Sequence, residues 1–146
     1  MEIYSIGFTQ STAEQFFGTL KSAGVRRLLD VRLNNTSQLA GFAKRDDLAY
    51  FLGAICGAAY EHEPLLAPTQ ALLDEYKKKK GAWESYEREF IELLRERRVE
   101  AEISPEPFRA TPTALLCSEK TSEHCHRRLV LEYLRDAWGD VTITHL

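Results

Sequence analysis

Apolar positions along the chain follow two periods, short runs of strand length and longer stripes at helical spacing. Residues 3–6 form a β-branched and aromatic run closed by Gly7, and Ser11-Thr12-Ala13-Glu14 has capping-box spacing ahead of Phe16, Phe17, Leu20 and Ala23. This predicts a strand, a turn and a helix that Gly24 stops. An almost continuous apolar strand over 25–31 comes next, centred on Leu28 and Leu29 and ending in Asp30-Val31-Arg32. Between 33 and 45 no period holds, and Asn34, Asn35, Thr36, Ser37 and Gly41 mark a loop long enough to suggest function. A helix bearing Leu48, Phe51, Leu52 and Ile55 leads to a short strand over 58–62, and Pro64 and Pro68 mark an irregular turn. Thr69 then caps a helix with Leu72, Leu73 and Tyr76, which ends in solvent at the Lys77 to Lys80 run. Beyond Gly81, the stripe Trp83, Tyr86, Phe90, Leu93 and Leu94 reads as a core-facing helix, and Pro105, Pro107 and Pro112 break up the segment after it. Residues 113–117 read as a buried strand, 122–137 as a helix and 141–145 as a last strand. The alternation predicts an α/β fold: a mainly parallel sheet of about five strands with helices on both faces, in a single domain over 1–146.

Composition narrows the class. A chain of 146 residues buries roughly 70% of its unfolded surface, so neither disulfides nor a structural metal is needed for ordinary stability. Its cysteines and histidines therefore need another explanation. Nineteen Lys plus Arg against 22 Asp plus Glu give a net charge of −3, without the basic excess of a dedicated nucleic-acid binder. No basic start with an apolar run signals export, and no apolar stretch approaches the ~18 residues of a membrane-spanning helix, so a cytoplasmic protein without membrane partners is expected. In that compartment the odd set Cys56, Cys117 and Cys125 is expected to stay reduced, with transient pairing of Cys117 and Cys125 under oxidation.

Ligand sites of open α/β sheets lie beyond the carboxyl ends of the strands. The predicted ends carry Thr9 and Ser11, then Asp30 and Arg32, then Glu61, His62 and Glu63, then Cys117, Ser118, Glu119 and Lys120, and last His145. On a helical wheel His126 and Arg127 face inward while Arg128, Glu132, Arg135 and Asp136 face water. A buried Arg127 needs an anion, and Asp30 or Glu119 is the expected partner, either as a structural clamp or beside an anionic ligand. His126 is a core histidine or a general acid/base, and Cys117, at a strand end before a helix, is a buried thiol or a nucleophile. Cys125, nearer solvent in the first helical turn, ranks below it. A phosphatase-type loop is excluded because Glu123 stands where its Arg would be and Glu119 would repel phosphate. Zinc binding by Cys117, Cys125 and His126 or His124, perhaps with His62, has suitable ligand types without paired C-x-x-C spacing, so no metal and no cofactor is assigned.

Ser5-Ile6-Gly7, Asp30-Val31-Arg32, Cys117-Ser118-Glu119-Lys120 and Cys125-His126-Arg127-Arg128 together resemble the domain-of-unknown-function 488 family along nearly the whole chain. The resemblance implies a compact α/β domain without an activity to carry over. Its matching positions are Asp30, Arg32, Cys117, Glu119, Cys125, His126 and Arg127. Two departures stand out: Phe8 replaces a histidine common in the family, which rules out a histidine role at that position, and Leu66-Ala67-Pro68 replaces a Gly pair.

The expected function is a small enzyme acting on an anionic or nucleotide-like small molecule. Cys117, Glu119, His126 and Asp30 are its catalytic candidates, and Arg32, Arg127, Ser11, Lys120 and Cys125 its ligand-binding ones. The competing class is a non-catalytic module for nucleic acid or a protein partner, in which Arg127, Asp30 and Glu119 form an ion-pair network. Arg32, Lys44, Arg45, Lys120 and Arg127 would then supply the contacts to nucleic acid.

Overall fold

The computed structural model describes residues 1–36, 40–119 and 121–146. Lys120 and the stretch 37–39 of the predicted functional loop thus lie outside the described residues. Among the described residues, five strands, β1 (Glu2–Gly7), β2 (Arg27–Asp30), β3 (Ala59–His62), β4 (Thr113–Cys117) and β5 (Thr142–His145), form one sheet in the order β3-β2-β4-β1-β5. Every pairing is parallel. The α/β architecture is as expected, and the predicted 25–31 strand is shorter because Val25 and Arg26 belong to the turn. There the backbone N–H groups of Val25 and Arg26 bond Leu20 and Pro112 instead of a ladder partner.

Among the described residues, seven α-helices flank the sheet: α1 (Ala13–Ser22), α2 (Arg45–Phe51), α3 (Gln70–Lys77), α4 (Trp83–Arg97), α5 (Val99–Glu102), α6 (Glu106–Ala110) and α7 (His126–Trp138). The first helix begins one residue later than its sequence signal. Thr12 rather than Ser11 is the N-cap: its hydroxyl accepts from the Gln15 amide, and its own amide donates to Gln15 Oε1, the two capping-box bonds. Ile55 breaks its expected stripe: α2 widens into a π turn over Leu52–Cys56, and Ile55 is left 41% exposed. The last helix starts at His126, so Cys125 is its N-cap and not part of its first turn, and there it is more deeply buried than His126 rather than nearer solvent.

Alternation along the strands makes two cores. On one face Ile3, Leu29 and Leu115 pack with Phe90 and Leu94 of α4 and Leu129, Val130 and Leu134 of α7. On the other, Ile6, Leu28, Ala114 and Leu116 pack with Phe16, Phe17 and Leu20 of α1 and Leu48 of α2. Each fully buried Leu or Phe contributes roughly 1.5–3 kcal/mol of transfer free energy. All five residues of β4 are buried because it lies between β2 and β1 in the middle of the sheet.

This order fixes where a ligand crevice opens. The chain leaves β1 through α1 on one face and leaves β4 through α7 on the other, so β1 and β4 are neighbours whose connections diverge. The carboxyl ends of that pair are Gly7 and Cys117, which sit opposite each other in register.

Candidate active site at the carboxyl end of the central strands

Cys117 ends β4 on the α4 and α7 face and is 5% exposed. Its sulfur lies 3.3 Å from Nδ1 of His126, the first residue of α7. The opposite ring nitrogen, Nε2, is 2.7 Å from the Val31 carbonyl oxygen. A carbonyl only accepts, so Nε2 carries a proton and donates, and Nδ1 is the ring nitrogen turned to the thiol. The ring is further fixed by an edge contact with Phe90, 5.5 Å between centroids.

The turn after β4 is tied down by its carbonyls. The Ser118 carbonyl accepts from the Thr9 amide at 3.0 Å, and the Glu119 carbonyl accepts from Arg127 Nη1 at 2.7 Å. Because a trans peptide sets N–H opposite C=O, anchoring the Ser118 carbonyl on Thr9 directs the Glu119 N–H the other way, towards the Cys117 sulfur. Gly7 makes the approach possible: a Cβ there would overlap the Glu119 carbonyl. The Cys125 thiol, the Arg127 charge and the Ser118 and Glu119 amides together pull the Cys117 thiol below its ordinary range against the cost of burial. Cys125 moves the opposite way, held as a thiol by the hydrogen bond to Cys117 and by burial.

Arg127 is fully buried, and the expected Asp30–Arg127 clamp is not what forms. Its Nε donates to Ser5 Oγ at 3.1 Å, and its partner at Glu119 is the backbone carbonyl. Asp30 is occupied by its own neighbour Arg32, through Nε to Oδ1 and Nη2 to Oδ2 at 2.9 Å each, and by the Tyr60 hydroxyl. The reason is strand parity. Asp30 lies in register with Leu116 and so faces α1 and α2, whereas Cys117 faces α4 and α7. The Arg32 guanidinium stacks over Phe8 on that same face, 5.3 Å from the ring centroid. Burial and the Asp30 bond hold the Tyr60 phenol protonated.

A cavity of about 340 Å³ opens over the sulfur and is lined by Cys117, Glu119, Cys125 and His126 together with Arg32. Asp30, Arg127 and Ser11 do not line it. Ser11 sits in the turn before α1, its amide bonded to the Phe8 carbonyl. Glu119 reaches the rim and pairs with Lys77 at 2.6 Å, both half-exposed. His62 donates to the Arg32 carbonyl, Glu61 pairs with Arg27, and His145 bonds Ser5, so these strand ends do not meet the sulfur. The remaining wall is aromatic: Trp83 stacks on His124 at 4.9 Å and on Tyr86 at 5.2 Å, and Tyr76 packs against both Trp83 and Tyr86. From spacing alone Trp83 and Tyr86 read as core only. They are core residues whose helical stripe continues past the sheet edge into the cavity.

A family model described as a domain of unknown function, DUF488, matches residues 12–134. The chain belongs to the DUF488 family. The matched span holds Asp30, Arg32 and the whole segment from Cys117 to Arg128, while Gly7 and Ser11 lie before it. No curated protein and no solved structure matches the chain. Phe8 is buried under Arg32, and Pro68 lines the cavity.

Among the described residues, Cys117, Cys125 and His126 are also the group able to converge on a metal ion, with sulfur and nitrogen atoms within 4.8 Å of one another. No helix among the described residues is long and apolar enough to cross a membrane.

Proposed function

We propose that the protein is a thiol-dependent enzyme in which Cys117 attacks an electrophilic centre of a small anionic molecule held in the aromatic cavity. The observation that carries this reading is the relay Cys117 Sγ, His126 Nδ1, Val31 carbonyl, a nucleophile with a proton acceptor whose tautomer is fixed by a third group. Arg127 and the Ser118–Glu119 turn are positioning groups for the thiolate. Lys77 and Lys78 at the rim supply attraction for an anion. Three buried cysteines without disulfides suit a reducing, cytoplasmic setting.

Paired alkylation measures both halves of the reading. Iodoacetate and iodoacetamide differ in charge but share one reaction at sulfur. At neutral pH both reagents should modify Cys117 roughly tenfold or more faster than a peptide thiol, because the thiolate is the reactive form. Iodoacetate should gain more than iodoacetamide. Equal, peptide-like rates would refute the nucleophile, and a preference for the neutral reagent would refute the anionic substrate.

A second reading has its own observation, the convergence of Cys117, Cys125 and His126. A thiolate pair and an imidazole whose far nitrogen donates to a carbonyl form a suitable three-ligand zinc set with one open position. Elemental analysis of protein purified without chelator decides between them: stoichiometric zinc replaces the nucleophile reading, and its absence leaves it standing.

A further inference from the structure

Cys125 has no task in a simple nucleophilic mechanism, yet it is 2% exposed, lines the same cavity as Cys117 and sets its sulfur within 4.8 Å of the Cys117 sulfur. It occupies the N-cap of α7, where Ser, Thr, Asp or Asn would donate about 1 kcal/mol of capping stability, and it makes no side-chain cap bond. Its sulfur instead lies in the cluster with Cys117 and His126, within 4.8 Å of both. The third cysteine, Cys56, lies with α1 on the other face of the sheet, its thiol against the Phe17 carbonyl.

We propose that Cys117 and Cys125 form a dithiol couple that reduces a small disulfide bearing carboxylates. The proposal rests on the nucleophile reading above and names its substrate class. The Cys117 thiolate attacks one sulfur of R–S–S–R, a bond forms between Cys117 and that sulfur, and the substrate S–S bond breaks. The departing RS⁻ carries the electron pair and takes a proton from water. His126 Nδ1 then accepts the Cys125 proton, the Cys125 sulfur attacks Cys117 Sγ, and the second RS⁻ leaves with that proton. The substrate gains two electrons and becomes two thiols, the protein pair loses two and becomes a disulfide, and an added dithiol restores it. The cavity suits such a substrate: Tyr76, Trp83 and Tyr86 offer sulfur–aromatic contacts, and Lys77 and Lys78, paired with Glu119 and Asp74, bring cations to the rim that its carboxylates can share.

Dithiobis(nitrobenzoate), an aromatic disulfide with carboxylates, is a direct probe. The reduced full chain is treated with it, the released thiol is followed by absorbance, and the cysteines are located by peptide mapping. The expected product is a Cys117–Cys125 link with no nitrobenzoate retained on either residue. Cys125→Ser should stop at a stable adduct on Cys117. A wild-type protein that keeps the adduct on Cys117 beside an unmodified Cys125 overturns the couple and leaves the nucleophile intact. No reaction at Cys117 overturns both readings.

Discussion

Two buried arginines at the strand ends have different tasks. Arg32 closes a pair with Asp30 in which both side chains are at most 2% exposed, and removing one partner strands a charge in the interior. Asp30→Ala should cost about 3–5 kcal/mol and lower Tm by on the order of 10 °C, read by thermal denaturation. Arg127 instead acts on the Cys117 turn, so Arg127→Gln should raise the pH midpoint of Cys117 alkylation as well as lower Tm. Glu119 and Lys77 are half-exposed, and Glu119→Gln should change stability by less than about 1 kcal/mol. His145 adds a pH dependence. Partial desolvation and the Arg127 charge push its imidazole below the ordinary 6.5, so the unfolded chain binds the proton more readily. Stability should therefore rise with pH through the window just below 6.5 and flatten above it. Urea midpoints across that window check this, and His145→Gln should remove the slope.

At the level of elements, the site depends on how closely the β4–α7 turn approaches β1. Gly7→Ala inserts a methyl where the Glu119 carbonyl lies, so the turn must move. The expected cost is about 1–3 kcal/mol of overpacking, together with slower alkylation of Cys117; unchanged alkylation would show that the turn does not hold the thiolate. Legibility in the sequence divides along the same line. The turn from Cys117 to His126 is contiguous, so its strand-end cysteine and inward histidine can be read from spacing. The partner of Arg127 cannot, because Asp30 and Cys117 both end strands, and only sheet register shows that they face opposite sides. Trp83 and Tyr86 are ambiguous for a different reason. One helical stripe serves both the core and the cavity wall, and periodicity does not record where the sheet beneath it ends.

For the whole molecule, the strand order β3-β2-β4-β1-β5 sets the reactive residues at the divergence of α1 and α7. The alternation of elements foretells a parallel α/β sheet but not this order, which depends on non-local pairing. The mixed-sign rim expected from the sequence also changes meaning: its acidic and basic side chains pair with each other, as Asp30 with Arg32 and Glu119 with Lys77, so a sulfur, an imidazole and aromatic rings form the cavity itself while Lys77 and Lys78 act on an anion from its rim. The proposed chemistry stands or falls on Cys117 being a thiolate nucleophile. The decisive measurement is its alkylation rate by iodoacetamide as a function of pH, resolved by peptide mapping. A thiolate held by Cys125, Arg127 and the Ser118–Glu119 turn gives a rate that has already reached its plateau below the ordinary thiol value of 9.0, with Cys125 slow throughout. A Cys117 rate that climbs only as the pH nears 9.0 would show an ordinary buried thiol and remove the nucleophile.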